Sequence, residues 1–323
     1  MQGKVLPEQS AERRVYVGLD CCKARLDVYI HPIGRALSVA NTKEGLRQLR
    51  RALTGYDVAL TVVEATGKFH RLAQRTIHAW GIAVAVVNPL RPRLYAEAAG
   101  ILAKTDRLDA RTLAIFGQSI KPSARPPAPE RVEELQELVR TQQAAKDGAT
   151  ALANRCGAAQ SAFAKREIGR LLKNVQRHVD RLNAEIERRI VQDPALARRY
   201  EILRSIPSFG PVVAAALTAC LVELGQCSNK AIALLVGTAP ITDDSGQRTG
   251  IRHIKGGRAH VRSTLYMAAM SAITHNPDMA AFYKRLLDNG KLKMVALTAV
   301  MRKLVVLANT LITADRLWSQ VRP

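Results

Sequence analysis

Three observations predict an α/β domain at the N-terminus and a helical remainder. Between residues 14 and 118, short apolar runs alternate with stretches of helical periodicity. Four prolines then fall within KPSARPPAPE, residues 121–130, which excludes regular structure there. Beyond residue 132 the long patterns keep helical spacing to near the end of the chain.

Taken in order, VYVGLD, ARLDVYI and ALSVAN read as three strands of a meander. TKEGLRQLRRAL is an amphipathic helix, VALTVVEAT a buried strand and GKFHRLAQRTIHAW a second helix. IAVAVVNP is a further buried strand, followed by helical RPRLYAEAAG and DRLDARTLAIFGQ. Three strands followed by helix, strand, helix, strand and helix is the ribonuclease-H-like order, which places that domain at 14–120. Residues 1–13 read as a polar, disordered tail without a signal peptide, and 121–131 as a proline-rich linker. Residues 132–199 read as two long helices. Leu172, Val175, Val179, Leu182 and Ile186 keep a three-four spacing. That spacing suits a helical hairpin or short coiled coil, and so either dimerisation or an intramolecular pair. Residues 200–323 form a mostly α domain, in which ILRSIPSFGPVVAAAL has the shape of a helix-hairpin-helix element. Amides at the start of its second helix could hold a phosphate, and a plain connection between helices fits equally well. No transmembrane run is expected.

The chain has 323 residues, with 49 Lys and Arg against 27 Asp and Glu, a formal net charge of +22. The excess is spread along the chain, so the expected partner is a polyanion, with nucleic acid first. Phe, Trp and Tyr make up only 4%, so contacts to the phosphate backbone should outweigh base stacking. The five cysteines are odd in number and lack metal-binding spacing, which fits reduced thiols in a cytoplasmic protein.

Against that basic background four acids stand out. Asp20 and Glu64 end two of the predicted strands. Asp106 and Asp109 lie three apart at a helix start, so both project from one face. Taken singly, Asp20 could close a turn, Asp106 could cap its helix and Glu64 could be a solvated loop acid. Taken together, two strand-end acids and a helical pair are how a ribonuclease-H-like fold builds a site for Mg2+ or Mn2+. Hard cations want oxygen ligands, and gathered carboxylates repel each other without one.

DDSGQRTGIRHIKGGRAHVR is the second candidate site. Ser245 sits among Arg248, Arg252, Lys255, Arg258 and Arg262, with glycines that would let backbone approach a phosphate. Those cations are the expected nucleic-acid contacts. On residue chemistry alone, Ser245 either attacks phosphorus or merely turns a basic loop. The neighbouring His253 and His260 lack the acid or cysteine partners of a zinc site.

The segments VGLDCCKARLDVYI, VVEATGKFHRLA, VAVVNPLRPRLYAEAAGILAKTDRLDARTLA, SIPSFGPVVAAAL, LLVGTAP and DSGQRTGIRHIKGGRAHVRSTLYMAA, with a following HNP, run in order through nearly the whole chain. In them the sequence resembles the DEDD transposases of bacterial insertion sequences, bridge-RNA-guided serine recombinases with a RuvC-like N-terminal domain. The resemblance implies that Asp20, Glu64, Asp106 and Asp109 are the Mg2+-binding tetrad and that Ser245 is the nucleophile. It also implies donor and target DNA and a guide (bridge) RNA as partners. The assembly implied is a homo-oligomer, dimer to tetramer, with a composite site shared between protomers. The implied setting is the bacterial cytoplasm, at the nucleoid. Two departures stand out. Cys21-Cys22 replaces the small pair common after the first acid, and SIPSFG replaces the more usual GIPGIG, so Ser208 stands where glycine is expected. Two alternatives are a metal-only junction-resolving nuclease and a non-enzymatic scaffold. Against the first stands the long second half with its Gly/Arg loop, and against the second stands the gathering of acids in a basic protein.

Overall fold

The computed structural model describes residues 14–65, 67–101, 106–242, 244–246, 250 and 252–318. The chain forms two compact units, 1–128 and 129–323.

The first unit is built on a five-stranded sheet. β1 (Arg14–Cys21), β2 (Arg25–His31) and β3 (Arg35–Ala40) form an antiparallel meander. β4 (Asp57–Glu64) runs parallel to β1, and β5 (Val84–Val87) runs parallel to β4. The order β3-β2-β1-β4-β5 and these directions agree with the ribonuclease-H-like expectation. Strand alternation sends side chains to two faces. Val15, Val17, Leu19 and Cys21 face one side with Leu26, Val28 and Ile30, under α1 (Lys43–Leu53) and α2 (His70–Ala79). Leu46 and Leu49 of α1 are fully buried there, each contributing about 2 kcal/mol of transfer free energy. Thr42 caps α1 by accepting from the Gly45 amide at 3.2 Å. On the opposite face Leu60, Val62, Ala85 and Val87 pack against Leu113 and Phe116 of the helix that starts at Asp106. Two helices follow β5 on that side, α3 (Leu90–Ala98) and α4 (Asp106–Ile120).

The proline-rich segment is not free of the first unit. The Arg125 amide donates to the Val84 carbonyl at 3.2 Å, and the Arg75 guanidinium donates to the Ala128 carbonyl at 3.2 Å.

The second unit begins with a hairpin of long helices, α5 (Glu130–Ala158) and α6 (Ala162–Val191). After it come α7 (Pro194–Ser205), α8 (Pro211–Cys220), α9 (Asn229–Val236), α10 (Ala259–His275), α11 (Pro277–Asp288) and α12 (Lys293–Thr313). The sequence reads 132–199 as a region apart, but its helices share a core with the residues beyond 200. Leu135 and Val139 of α5, with Ile186 and Ile190 of α6, pack on Ala215, Ala216 and Ala219 of α8. The small alanines let the hairpin approach α8 closely. The three-four stripe of α6 is used inside the chain over its second half, where Val179, Ile186 and Ile190 are buried. Its first half carries exposed Phe163 and Leu171.

α12 is long and apolar enough to cross a membrane by length and composition, contrary to the expectation from sequence. Here it is the central helix of the second core. Val300, Leu304, Val305, Ala308 and Leu311 are each fully buried, and it packs with Leu265 and Ala269 of α10.

Candidate functional site

The acid-bearing end of the first unit is set by how α4 docks on β1. Gly18 has no side chain, and a Cβ there would lie 2.0 Å from the Ala110 carbonyl oxygen and 2.5 Å from the Ala114 amide. The helix backbone therefore rests directly on the strand. Further along α4, Gly117 lies over Val62 and Tyr16, so the helix runs antiparallel to β1. This brings its first turn, with Asp106 and Asp109, to the end of β1 that carries Asp20. The pairing of Leu19 with Val63 puts Asp20 beside Glu64 one step on, and even-numbered residues of both strands face α4. Asp20, Glu64 and Asp109 are half-buried at this end. The backbone of Asp106 is helical, and its side chain lies outside the described residues.

The buried thiol of Cys21 responds to these charges. Its pKa is pushed up to about 12, first by burial, then by the charge of Asp20, with smaller contributions from Cys22 and Glu64. The Asn41 amide donates to the Cys22 carbonyl at 2.9 Å and to the Phe69 carbonyl at 3.0 Å, which pins the turn just beyond Asp20.

A fifth carboxylate, not singled out in the sequence, stands in the same place. Asp27 of β2 is the direct cross-strand partner of Asp20, so both side chains project from the same face. Asp27 is mostly buried and accepts from Arg25 Nε at 2.8 Å. The register of the β1–β2 hairpin, which spacing within one strand does not record, is what joins these two acids. Among the described residues no three His, Cys, Asp or Glu side chains make a ready metal cage. The donor set nevertheless fits a hard divalent cation, because the chemistry converging here is carboxylate oxygen and the buried sulfur beside it, Cys21, is held as a thiol.

In the second unit, β6 (Pro240–Ile241) pairs antiparallel with β7 (His253–Ile254), and the loop between them carries Ser245. Ser245 is exposed, as are Arg252 and Lys255. Arg248 lies outside the described residues. Asp244 closes part of the loop by accepting from the Gly250 amide at 3.1 Å.

Arg258 and Arg262, expected as nucleic-acid contacts, are used inside the protein. Arg258 makes a two-pronged ion pair with Glu223, at 2.6 and 2.7 Å, and also donates to the Cys220 carbonyl at 2.9 Å. Arg262 donates to the Gly256 carbonyl at 2.6 Å. Gly257, read with Gly256 as an opening toward phosphate, serves a packing purpose. Gly257 has φ +73°, and a Cβ on it would lie 2.3 Å from the Gly237 amide nitrogen. The returning arm of the Ser245 loop is thus pressed backbone to backbone onto the C-terminal cap of α9.

The hairpin between α7 and α8 bounds a shallow cleft of about 380 Å³ lined by Arg204, Ser205, Ser208 and Gly210. Ser208 adopts φ +81°, the left-handed region that favours glycine, and its hydroxyl is buried without a partner among the described residues. HNP marks a helix start: Asn276 accepts from the Asp278 and Met279 amides at 3.1 and 3.2 Å, and Pro277 opens α11.

A family model described as a DEDD transposase of IS110 type matches residues 17–161, and one described as "Transposase IS116/IS110/IS902 family" matches residues 200–284. The chain is similar to the "Pilin gene-inverting protein" of Moraxella bovis, with 27% identity over 320 residues, 94% of this chain and 97% of that protein. The protein of the same name from Moraxella lacunata matches equally, at 27% over the same shares. An uncharacterized 44.8 kDa protein of insertion element IS116 from Streptomyces clavuligerus is 31% identical over 126 residues, 38% of this chain and 29% of that protein. These findings define a DNA transposase or recombinase, an enzyme that cuts and rejoins DNA. Within that class, the chain belongs to the DEDD transposases of the IS110 family. That family implies use of a divalent metal ion.

Proposed function

We propose that this enzyme is an RNA-guided transposase of a bacterial insertion sequence. In this reading it cuts and rejoins DNA with a Mg2+-binding tetrad, Asp20, Glu64, Asp106 and Asp109, and a serine nucleophile, Ser245. The observation that carries the reading is the docking of α4 on Gly18, which turns acids from three separate elements toward one end of one sheet. Bound there, the metal would supply Lewis-acid stabilisation of charge on a phosphate oxygen.

The protein's own residues account for the rest. The Ser245 hydroxyl oxygen bonds to the phosphorus of a scissile phosphodiester, its proton leaves to an acceptor base or solvent, and the bond to the departing deoxyribose oxygen breaks. A phosphoserine ester results. Reversal by a hydroxyl of another strand rejoins the DNA and restores the serine. Arg252 and Lys255, exposed on the same loop, offset the negative charge that develops, with Arg248 as a third cation of that segment. The acids and Ser245 belong to separately folded units, which supports a site completed between protomers of a dimer or tetramer. The exposed Phe163 and Leu171 on α6 supply apolar surface for such assembly. A guide RNA would supply target choice by base pairing, and the enzyme would work in the bacterial cytoplasm, at the nucleoid.

The test is to incubate the protein with supercoiled DNA and Mg2+ and to map any protein–DNA covalent bond by mass spectrometry. An adduct on Ser245, lost in Ser245→Ala and in Asp20→Asn, is expected. Recovery of some activity on mixing those two inactive variants would support shared sites. Nicking without an adduct would instead mean that water attacks. Sequencing RNA that co-purifies with the protein tests the guide.

A further inference from the structure

We infer that a cationic groove between α9, α11 and α12 holds the phosphate backbone of duplex DNA, away from the Ser245 loop. The groove encloses about 450 Å³ and is lined by Lys230, Phe282, Arg302 and Lys303, with no acid on its walls.

Four cations meet at this place. Lys303 Nζ sits 4.5 Å from the centroid of the Phe282 ring, and the Arg285 guanidinium sits 5.4 Å from it. Lys230 enters from α9, and Arg302 from the residue next to Lys303. Among the described residues none of the four has a carboxylate partner. Elsewhere in the same unit, Arg188 and Arg189 pair with Glu185, Arg198 pairs with Glu201 and Asp315, and Arg258 pairs with Glu223. Four cations gathered without counter-charge repel one another, and an anion relieves that repulsion.

The groove is also held in shape before any ligand arrives. Buried Asn309 of α12 donates to the Asn229 side chain at 2.9 Å and to the Cys227 carbonyl at 3.0 Å, and accepts from the Gly225 amide at 2.7 Å. Ser228 caps α9 by accepting from the Ala231 amide at 3.2 Å. These bonds fix the turn that presents Lys230, and they leave the positive end of the α9 dipole at the groove.

The occupant follows from what the ring is doing. Phe282 is half-buried against the core and carries two cations over its face, so it orders charge and offers no free face to an unpaired base. The groove therefore reads backbone and not sequence. Positions 299, 302, 303 and 306 span about two turns of α12, roughly 10 Å, enough for two successive phosphates of one strand. Duplex DNA presents such phosphates on a rigid frame, and DNA is this enzyme's substrate class, on which the inference rests.

The experiment measures affinity for a labelled 30-base-pair duplex of arbitrary sequence across a salt series. It compares the wild type with R302E/K303E and with the charge-keeping R302K/K303R, after checking that all three melt alike. R302E/K303E should bind at least tenfold more weakly at low salt, and its log–log salt slope should be shallower by about 2, near 0.9 for each phosphate no longer neutralised. R302K/K303R should bind like the wild type. Unchanged affinity and slope in R302E/K303E would overturn the groove. A loss confined to single-stranded RNA, with duplex binding intact, would overturn the DNA assignment. DNA cleavage by the wild-type protein is followed in parallel, so a failed groove and a failed transposase reading give different results.

Discussion

The two regions that carry the candidate chemistry are built in opposite ways. The acids sit on regular elements: two parallel strand ends and the first turn of a helix whose backbone lies on β1. Ser245 sits in an exposed loop whose far arm is clamped by Gly257 on Gly237 and by the bonds of Arg258 and Arg262. Metal ligands must hold oxygen atoms to a few tenths of an ångström, which strands and helices do well. A nucleophile that must meet DNA needs reach, which a loop anchored at its base provides. In both regions a glycine sets the geometry by absence of a side chain.

The largest effect expected from breaking this comparison is at Gly18. Gly18→Val puts a branched side chain where the Ala110 carbonyl and the Ala114 amide already stand. Neither is a flexible side-chain end, so the helix must lift away. A loss of about 3 kcal/mol or more is expected, together with all strand-exchange activity. The measurement is chemical denaturation alongside a recombination assay. Gly148→Ala, with nothing within 4 Å, is the control and should raise stability by up to about 1 kcal/mol. Equal behaviour of the two variants would remove Gly18 from its role.

Gly257→Ala tests the other region. Both the φ of +73° and the 2.3 Å approach to Gly237 oppose it. A loss of about 2 kcal/mol is expected in the second unit, with recombination falling. Near-native protection of amides in β1, β2 and β4 in hydrogen exchange would show the acid region untouched. A uniform loss of protection over both units would contradict the separation drawn here.

A gain is expected at the turn before α8. Ser208→Gly relieves a φ of +81° and removes a buried, unpartnered hydroxyl. It should stabilise by about 1 kcal/mol, seen as a rise of a few degrees in melting temperature. A fall would mean that the serine makes a favourable contact in solution.

The smallest effect is expected on the hairpin that supports the second unit. Hydrogen bonds from Arg188 and Arg189 hold the Glu185 carboxyl down to about 2. A depressed carboxyl adds stability above its unfolded value, near 4.3, and the gain is lost as pH falls from there through about 2. Glu185→Gln should therefore flatten acid destabilisation over that interval, with a slight loss of stability at neutral pH and no difference from the wild type near pH 2. The group is partly open to solvent, so the change is slight.

Much of the acid region was legible in the chain. Alternation in VYVGLD and VALTVVE sets strand, face and end together, so Asp20 and Glu64 could be named from spacing alone. Asp27 could not, because its place beside Asp20 depends on the register of the β1–β2 hairpin. The Ser245 loop was legible as polar and Gly-rich, but the division of labour among its cations was not. Arg258 looks like its neighbours until Glu223, 35 positions away, is found opposite it. The seam of α6 looked equally suited to another chain or to its own, and Ala215, Ala216 and Ala219 of α8 decide it for the buried half.

Local pattern determined the order of elements, the acid positions, the basic charge and the breaks at proline, since each depends on residues a few positions apart. Tertiary structure alone decided which acids share a corner, which arginines face solvent and which glycines are places where backbones touch. Those outcomes rest on packing between segments distant in sequence, and hydrophobic periodicity records only that a face is buried, not what covers it.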